Sequence, residues 1–558
     1  MTTRWRGTEN LFGSVCGILA AAVAMGVAQL LAGLTVPQAS PVVAVGQAAI
    51  DLTPRAVKTW STSAFGTADK DVLLTGVVVV LAVLAAVTGI LAMRRLAYGM
   101  WGLAVLTVVG IAAALSRPGS SGGWALPVLI GAAVGAFALT RLVRLARAAE
   151  TPPLPEKAVS PPPIVSGADS PEPGSSSPKP EPEEAGPPAA RERAARPPSP
   201  VPRSEARRSF LVASGVTLAA AAVAEIGGRE LGTRTNVSAA RNAVRLPRAT
   251  VPAPPLPDGV NLPVPGISPF ITPNGQFYRV DTALLLPQVD PKGWQLRIHG
   301  MVDREVRITF DDLLRRPLIE DYVTLCCVSN PVSGPYIGNA KWLGASLSSL
   351  LRQAGVKSGA SMLLCTSTDG FTSGTPLQVV MDGRDALVAV AMNGTALPVA
   401  HGFPARLVVP GLYGYVSACK WVTDIEVTTY ENATAYWTDR GWSAQGPIKT
   451  ESRIDVPADG SPVKAGRTAV AGVAWAQHKG IEAVEVRVDG GAWQTATLAA
   501  VPDLDTWRQW VWYWDATPGT HQIEARATDK TGYTQTSVQA GEVPNGASGY
   551  PMNTVGVH

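Results

Sequence analysis

Histidine and cysteine are scarce in this chain of 558 residues, with five of each, and only 16% of the residues are charged. Each shortage excludes something. No histidine precedes His299, so the first half of the chain offers no imidazole to ligate a haem. Cys16 stands alone there and cannot hold an iron–sulfur cluster, which needs several thiolates. Neither haem nor iron–sulfur cluster is therefore expected. Zinc is unfavoured too: Cys365 and Cys419 are isolated in apolar contexts, Cys326 and Cys327 are adjacent rather than spaced, and no histidine lies near them in sequence. Low charge with 46% hydrophobic residues points away from a wholly soluble protein.

What replaces the missing charge is a series of long apolar runs. Leu11–Leu34, Val72–Met93, Leu96–Ser116 and Trp124–Thr140 are each nearly free of charge, and all but the last reach the usual length of a span. Pro41–Ile50 is too short to cross and reads as interfacial. Basic residues flank the runs on alternate sides: Arg4 and Arg6 before the first, Arg94 and Arg95 between the second and third, Arg141, Arg144 and Arg147 after the fourth. The positive-inside rule places all three groups in the cytoplasm, and the weaker set Arg55, Lys58 and Lys70 does not reverse it. Residues 149–206 then turn rich in Pro, Ser and Glu, which reads as a disordered cytoplasmic tether. It leads into "ARRSFLVASGVTLAAAAVAEIGG", a fifth apolar run over 207–228 whose paired arginines resemble a twin-arginine export signal. Either as a span or as a signal, it puts everything after about Gly228 outside. The expected organisation is a four-helix membrane region (1–148), the tether, the fifth helix, a linker (229–258), an α+β domain (259–447) and an all-β sandwich (448–558). The expected partners are the lipid bilayer and the twin-arginine export machinery, and not nucleic acid.

In the exported part, "WQLRIHGMV" alternates as a strand does, Thr309 with Asp312 announces a short helix, and "ASLSSLLRQAGV" reads as another helix closed by Gly355. Beyond Ile448 the pattern is strands only, with a turn at Asp489-Gly490 and a second strand in "HQIEARATDKTGY", as in an immunoglobulin-like sandwich. Trp507, Trp510, Trp512 and Trp514 read as core or subunit interface. The stretch "DYVTLCCVSNPVSGPYIGNAKW" leaves the Cys326–Cys327 pair open to three chemistries: a vicinal disulfide, half of a zinc site, or one ligand thiolate beside a packing neighbour. Cys365 and Cys419 are either paired with each other or buried singly.

"TLCCVSN" resembles the Thr-Leu-x-Cys-x-x-Asn segment of the sulfite oxidase family of molybdenum-cofactor enzymes. The resemblance continues in "FYRVDT", "HGFPARLVVPG", "YGYVSACKW" and the C-terminal "VAGVAWAQHKGIEAVEVRVDGG", which is similar to the family's dimerisation domain. It implies a molybdenum–molybdopterin cofactor, with Cys327 as the one protein ligand to the metal and Cys326 as bystander. It implies further that Arg279 faces the metal site, that His401, Arg406 and Lys420 hold the pterin and its phosphate, and that Tyr413 and Ser417 belong to the pterin-binding loop. A homodimer through the sandwich and a separate electron-transfer protein follow from the same resemblance. Departures are equally specific. Asn330-Pro331-Val332 replaces Asn-Arg-Arg, Asp281 replaces a histidine, Trp442 replaces a catalytic tyrosine, and Met552 or Asn553 replaces an arginine. Arg279 and Arg440 are the cations left for a substrate. The expectation is oxygen-atom transfer on a substrate less charged than sulfite, with sulfoxide repair in envelope proteins or a non-enzymatic assembly role as alternatives.

Overall fold

The computed structural model describes residues 2–35, 39–54, 57, 69–117, 120–150, 203–234 and 237–558; most of the expected tether, 151–202, lies outside the described residues. The chain divides into two compact units, one holding most of the long apolar helices and the other residues 227–558 with the segments 29–77 and 109–128.

The N-terminal helices are α1 (Thr2–Leu34), α2 (Pro41–Leu52), α3 (Asp69–Arg94), α4 (Leu96–Leu115), α5 (Ala125–Glu150) and α6 (Arg203–Arg234). All except α2 are long and apolar enough to cross a membrane. α6 is longer than the expected 207–228 at both ends, because the flanking Ser, Glu, Arg and Leu residues tolerate helix as well as the apolar run does. In the first unit, α1 and α3 cross through small residues: a Cβ on Gly17 would lie 1.9 Å from the carbonyl oxygen of Ala85. Such close backbone approach is how helices pack where lipid removes the hydrophobic drive.

In the 227–558 stretch of the second unit, α7 (Ser238–Ala243) lies within the expected linker. That stretch is strapped down: Arg241 donates to the carbonyls of Leu397 (2.7 Å) and Ala396 (2.6 Å), and Val251 bridges to Ile319. Ten strands follow: β1 (Gln295–Gly300), β2 (Val306–Thr309), β3 (Leu318–Cys326), β4 (Ile337–Ser346), β5 (Met362–Ser367), β6 (Thr372–Pro376), β7 (Leu387–Met392), β8 (Thr395–Ala396), β9 (Arg406–Val408) and β10 (Val422–Thr428). They form two sheets, β2-β1-β10-β5-β6 and β3-β4-β7-β8 with β9 on β7. Four short helices complete this part: α8 (Phe310–Leu314), α9 (Leu347–Ala354), α10 (Leu377–Met381) and α11 (Gly414–Ser417). Thr309 and Asp312 form the expected capping box of α8, and Gly355 ends α9 in the left-handed conformation at φ 73°.

The C-terminal strands are β11 (Glu451–Val456), β12 (Pro462–Val463), β13 (Gly466–Trp475), β14 (Ile481–Val488), β15 (Gln494–Thr495), β16 (Thr497–Leu498), β17 (Arg508–Ala516), β18 (Gly519–Asp529) and β19 (Met552–Val557). Their two sheets, β11-β13-β17-β16 and β12-β19-β18-β14-β15, share a core in which Val470, Val484, Trp510, Ile523 and Val555 meet. Trp512 and Trp514 alternate onto the same face, and Asp489 and Gly490 turn with φ 52° and 68°. Trp507 instead packs into the α+β core, its indole N–H donating to the Phe270 carbonyl at 2.9 Å. Its backbone N–H donates to the Thr324 hydroxyl (2.7 Å), and Gln477 donates to the Thr324 carbonyl (2.9 Å). These bonds fix the end of β3 three residues before Cys327.

Candidate active site

Successive side chains on a strand point to opposite faces. That alternation separates the adjacent cysteines. Cys326, the last residue of β3, is fully buried in the α+β core, whereas Cys327 lines a cavity. The loop after it is tied into shape. Cys327 N–H donates to the Tyr336 carbonyl (2.9 Å), Asn330 N–H to the Cys327 carbonyl (3.1 Å), and Tyr336 N–H to the Asn330 side chain (2.7 Å). Burial pushes the Cys327 thiol up, while the N–H and hydroxyl of Ser329 and the charge of Lys420 pull it down. All five cysteines are free; Cys365 and Cys419 are buried, with the Cys419 sulfur 3.8 Å from the Cys365 carbonyl oxygen.

The cavity's cations come from one stretch of chain. Gly402 turns at φ 109°, and a Cβ there would press on Arg406 and Lys420, so glycine lets β9 and the strand-like stretch at Lys420 close together. Arg406 is buried, and its guanidinium donates to the carbonyls of His401 (3.2 Å), Leu407 (3.3 Å) and Ala418 (3.4 Å) while lying 5.0 Å from the Trp342 ring centre. Burial lowers it to about 10, which leaves it charged at neutral pH, and among the described residues no carboxylate pairs with it. A buried charge with only carbonyl partners is costly unless an anion arrives. His401 Nε2 sits 3.1 Å from the Asn274 carbonyl oxygen; burial and Arg406 push the ring down to about 4, so it is neutral. Lys420 Nζ lies 2.8 Å from Asp281, whose carboxylate also accepts from Arg279 Nε at 2.7 Å. Burial brings Lys420 down to about 8 against the pull of Asp281.

Much of the remaining lining is aromatic. Trp442 meets Trp437 edge-on at 6.3 Å and Tyr415 at 6.2 Å, with Phe371 and Trp421 also lining. The structure thus brings Cys327, His401, Arg406, Lys420 and Trp442 to one cavity. Four expected residues are elsewhere. The Arg279 side chain is turned to Asp281 and partly exposed. Tyr413 is buried in the core, and Ser417 spends its hydroxyl on the carbonyls of Leu412 (3.0 Å) and Tyr413 (3.1 Å); their loop reaches the cavity through Gly414, Tyr415 and Ala418. Arg440 stacks on the Tyr436 ring at 3.5 Å. Asn553 is buried on the carbonyls of Ile454 and Pro457 and Met552 is exposed, neither at the cavity. Asp281, Ser329, Tyr415 and Trp437 are the site residues that sequence reasoning did not single out for a role. Asp281 had a signal, as a carboxylate where the resemblance expects histidine.

A thiol, a neutral imidazole, a buried guanidinium without counter-charge and an ammonium in one cavity suit an anionic group that takes a single thiolate. Residues 283–437 match the family described as an oxidoreductase molybdopterin binding domain. The chain is 30% identical over 286 residues to the mitochondrial sulfite oxidase of Rattus norvegicus, covering 44% of this chain and 52% of that one. It is 32% identical over 157 residues to the uncharacterized oxidoreductase YuiH of Bacillus subtilis, covering 28% of this chain and 76% of that one. The chain thus spans about half the length of the animal sulfite oxidases it matches. Among solved structures, the sulfane dehydrogenase SoxCD of Paracoccus pantotrophus is 26% identical with a TM-score of 0.43, covering 49% of this chain and 76% of that one.

Proposed function

Because the chain belongs to the sulfite oxidase family of molybdopterin oxidoreductases, we propose that it is a membrane-anchored enzyme acting outside the cytoplasm on a substrate of low charge. When bound, the molybdenum–pterin group would supply two-electron oxygen-atom transfer. Cys327 would hold the metal as a thiolate, and Arg406, Lys420 and His401 would hold the pterin and its phosphate, Arg406 finding there the anion it otherwise lacks. Arg279 acts one step back, through Asp281.

The observation that carries the substrate reading is the pairing of Asp281 with Lys420 and Arg279 at a cavity walled by Trp437, Trp442 and Tyr415. A dianion entering this cavity meets the Asp281 carboxylate, and Trp442 offers no charge where the resemblance expects a tyrosine. Each lost charge-assisted hydrogen bond is worth about 1.5–3 kcal/mol, so two cost roughly 10²- to 10⁴-fold in turnover of sulfite. An aromatic wall instead excludes water and stacks on a neutral sulfoxide or N-oxide.

Contacts within the second unit support the placement. Tyr436, next to cavity residue Trp437, lies 3.5 Å by its hydroxyl from Asp51, which receives Arg117 at 2.8 Å. Asp51 lies near the end of α2, in the connection after the first span, and Arg117 follows the third, the two connections expected outside. The electron donor or acceptor is a separate protein, and the sandwich after Ile448 is immunoglobulin-like and serves dimerisation. The test is steady-state turnover on purified molybdenum-replete chain, with reduced dye plus dimethyl sulfoxide or methionine sulfoxide set against sulfite oxidation. Reduction of the neutral oxides is expected; brisk sulfite oxidation with inert oxides would overturn the reading.

A further inference from the structure

The first unit holds a cavity that this chemistry does not use. α1, α5 and α6 leave between them a groove of about 700 Å³ that runs along α5 from Val134 to Leu145 and along α6 from Arg208 to Ala220. At 1.5 Å per residue those stretches are about 17 and 18 Å long, close to half of a hydrocarbon core roughly 30 Å thick. The groove therefore has the depth of one leaflet. Its polar end is formed by Arg141, Arg208 and Ser209, and among the described residues no acidic side chain lines it. Its walls are apolar, and Phe137, Val212 and Val216 are 68%, 59% and 64% exposed, so it opens sideways.

We propose that this groove binds one anionic phospholipid of the cytoplasmic leaflet. Its phosphate sits on Arg141 and Arg208, and an acyl chain runs past Phe137 and Val216 toward Val23. Guanidinium groups match a phosphate with paired N–H donors, and basic pockets between spans on the cytoplasmic side select anionic headgroups. A zwitterionic lipid brings a choline cation along with its phosphate, so the two guanidinium groups favour a headgroup of net negative charge. The proposal rests on the long helices being membrane spans. Carbonate extraction of membranes tests that separately, since release of the chain by carbonate would fail the span reading whatever the lipid result.

The lipid site is tested by native mass spectrometry of the delipidated full chain given equal amounts of dioleoylphosphatidylglycerol and dioleoylphosphatidylcholine. One phosphatidylglycerol should be retained at least about tenfold over phosphatidylcholine, given two basic contacts. Arg141→Gln with Arg208→Gln should erase that preference, whereas Arg141→Lys and Arg144→Gln, the latter outside the groove, should keep it. Val216→Trp, which fills the groove and leaves the charges, should lower phosphatidylglycerol retention. If the double variant is not recovered from membranes, Arg141→Lys and Val216→Trp carry the test. Equal retention of the two lipids, or an unchanged preference in the double variant, would overturn the proposal. Full phosphatidylglycerol binding by Val216→Trp would reduce the site to a surface anion site and overturn it as well.

Discussion

Replacing Asp281 by Asn removes the carboxylate that Lys420 and Arg279 share, and the expected loss is smaller than the usual rule suggests. Breaking a buried ion pair from one side generally costs about 3–5 kcal/mol. Lys420, however, can shed its proton. Its fall from 10.5 to about 8 means that burying the ammonium already costs about 3 kcal/mol at neutral pH, with Asp281 present. The sign is that of a base with a lowered folded value: the cost is full below about 8 and vanishes above 10.5. At pH 7 a fully deprotonated lysine costs about 5 kcal/mol relative to the unfolded chain, and that is the ceiling. Losing Asp281 therefore adds at most about 1–2 kcal/mol through Lys420. The partly exposed Arg279 pair adds no more than about 1 kcal/mol. Urea denaturation of the Asp281→Asn chain at pH 7 should show a loss of about 1–2.5 kcal/mol. A loss of 4 kcal/mol or more would refute the ceiling by showing that removing Asp281 disrupts more than this ion pair, and no loss would show that the pair contributes nothing.

Three further outcomes follow from the same structure. Glu451 is buried and pushed up to about 8, so the stability it permits is complete below about 4.5 and fades as pH rises through 8. Glu451→Gln should flatten the decline in denaturation midpoint between pH 5 and 9 by up to about 4–5 kcal/mol, and superimposable curves would remove Glu451 as its cause. Protease added to intact spheroplasts should spare residues 151–202 and cut them only after lysis; cutting before lysis would invert the topology. Trp442→Ala should raise the KM for a neutral sulfoxide more than it lowers kcat, and an unchanged KM would take the indole out of substrate contact.

Local features proved legible where neighbours in sequence decide them. The Thr309–Asp312 capping box, the Gly355 cap and the Asp489-Gly490 turn each depend on a few adjacent residues, and all three form. Strand alternation alone gives Cys326 and Cys327 different surroundings. The misplaced residues failed for two other reasons. Tyr413 and Ser417 bracket a single helical turn whose rotation is set by packing, and the turn presents Gly414, Tyr415 and Ala418 instead. Asp281 and Lys420 are 139 positions apart, and Asp51 and Tyr436 are 385 apart, so no local pattern announces either contact. The position of Arg279 in the family-like segment points it at the site, but the carboxylate two residues on captures it.

On the proposed reading Cys327, and not its neighbour, holds the metal in a cavity that suits the molybdenum–pterin group. Molybdenum per chain, measured by elemental analysis on purified protein alongside oxidised-pterin fluorescence, tests it most directly. Near-stoichiometric molybdenum is expected in the unaltered chain and in Cys326→Ser. Cys327→Ser should lose turnover and retain metal weakly, with pterin still held through Arg406 and Lys420. Full molybdenum and activity in Cys327→Ser, with both lost in Cys326→Ser, would contradict it.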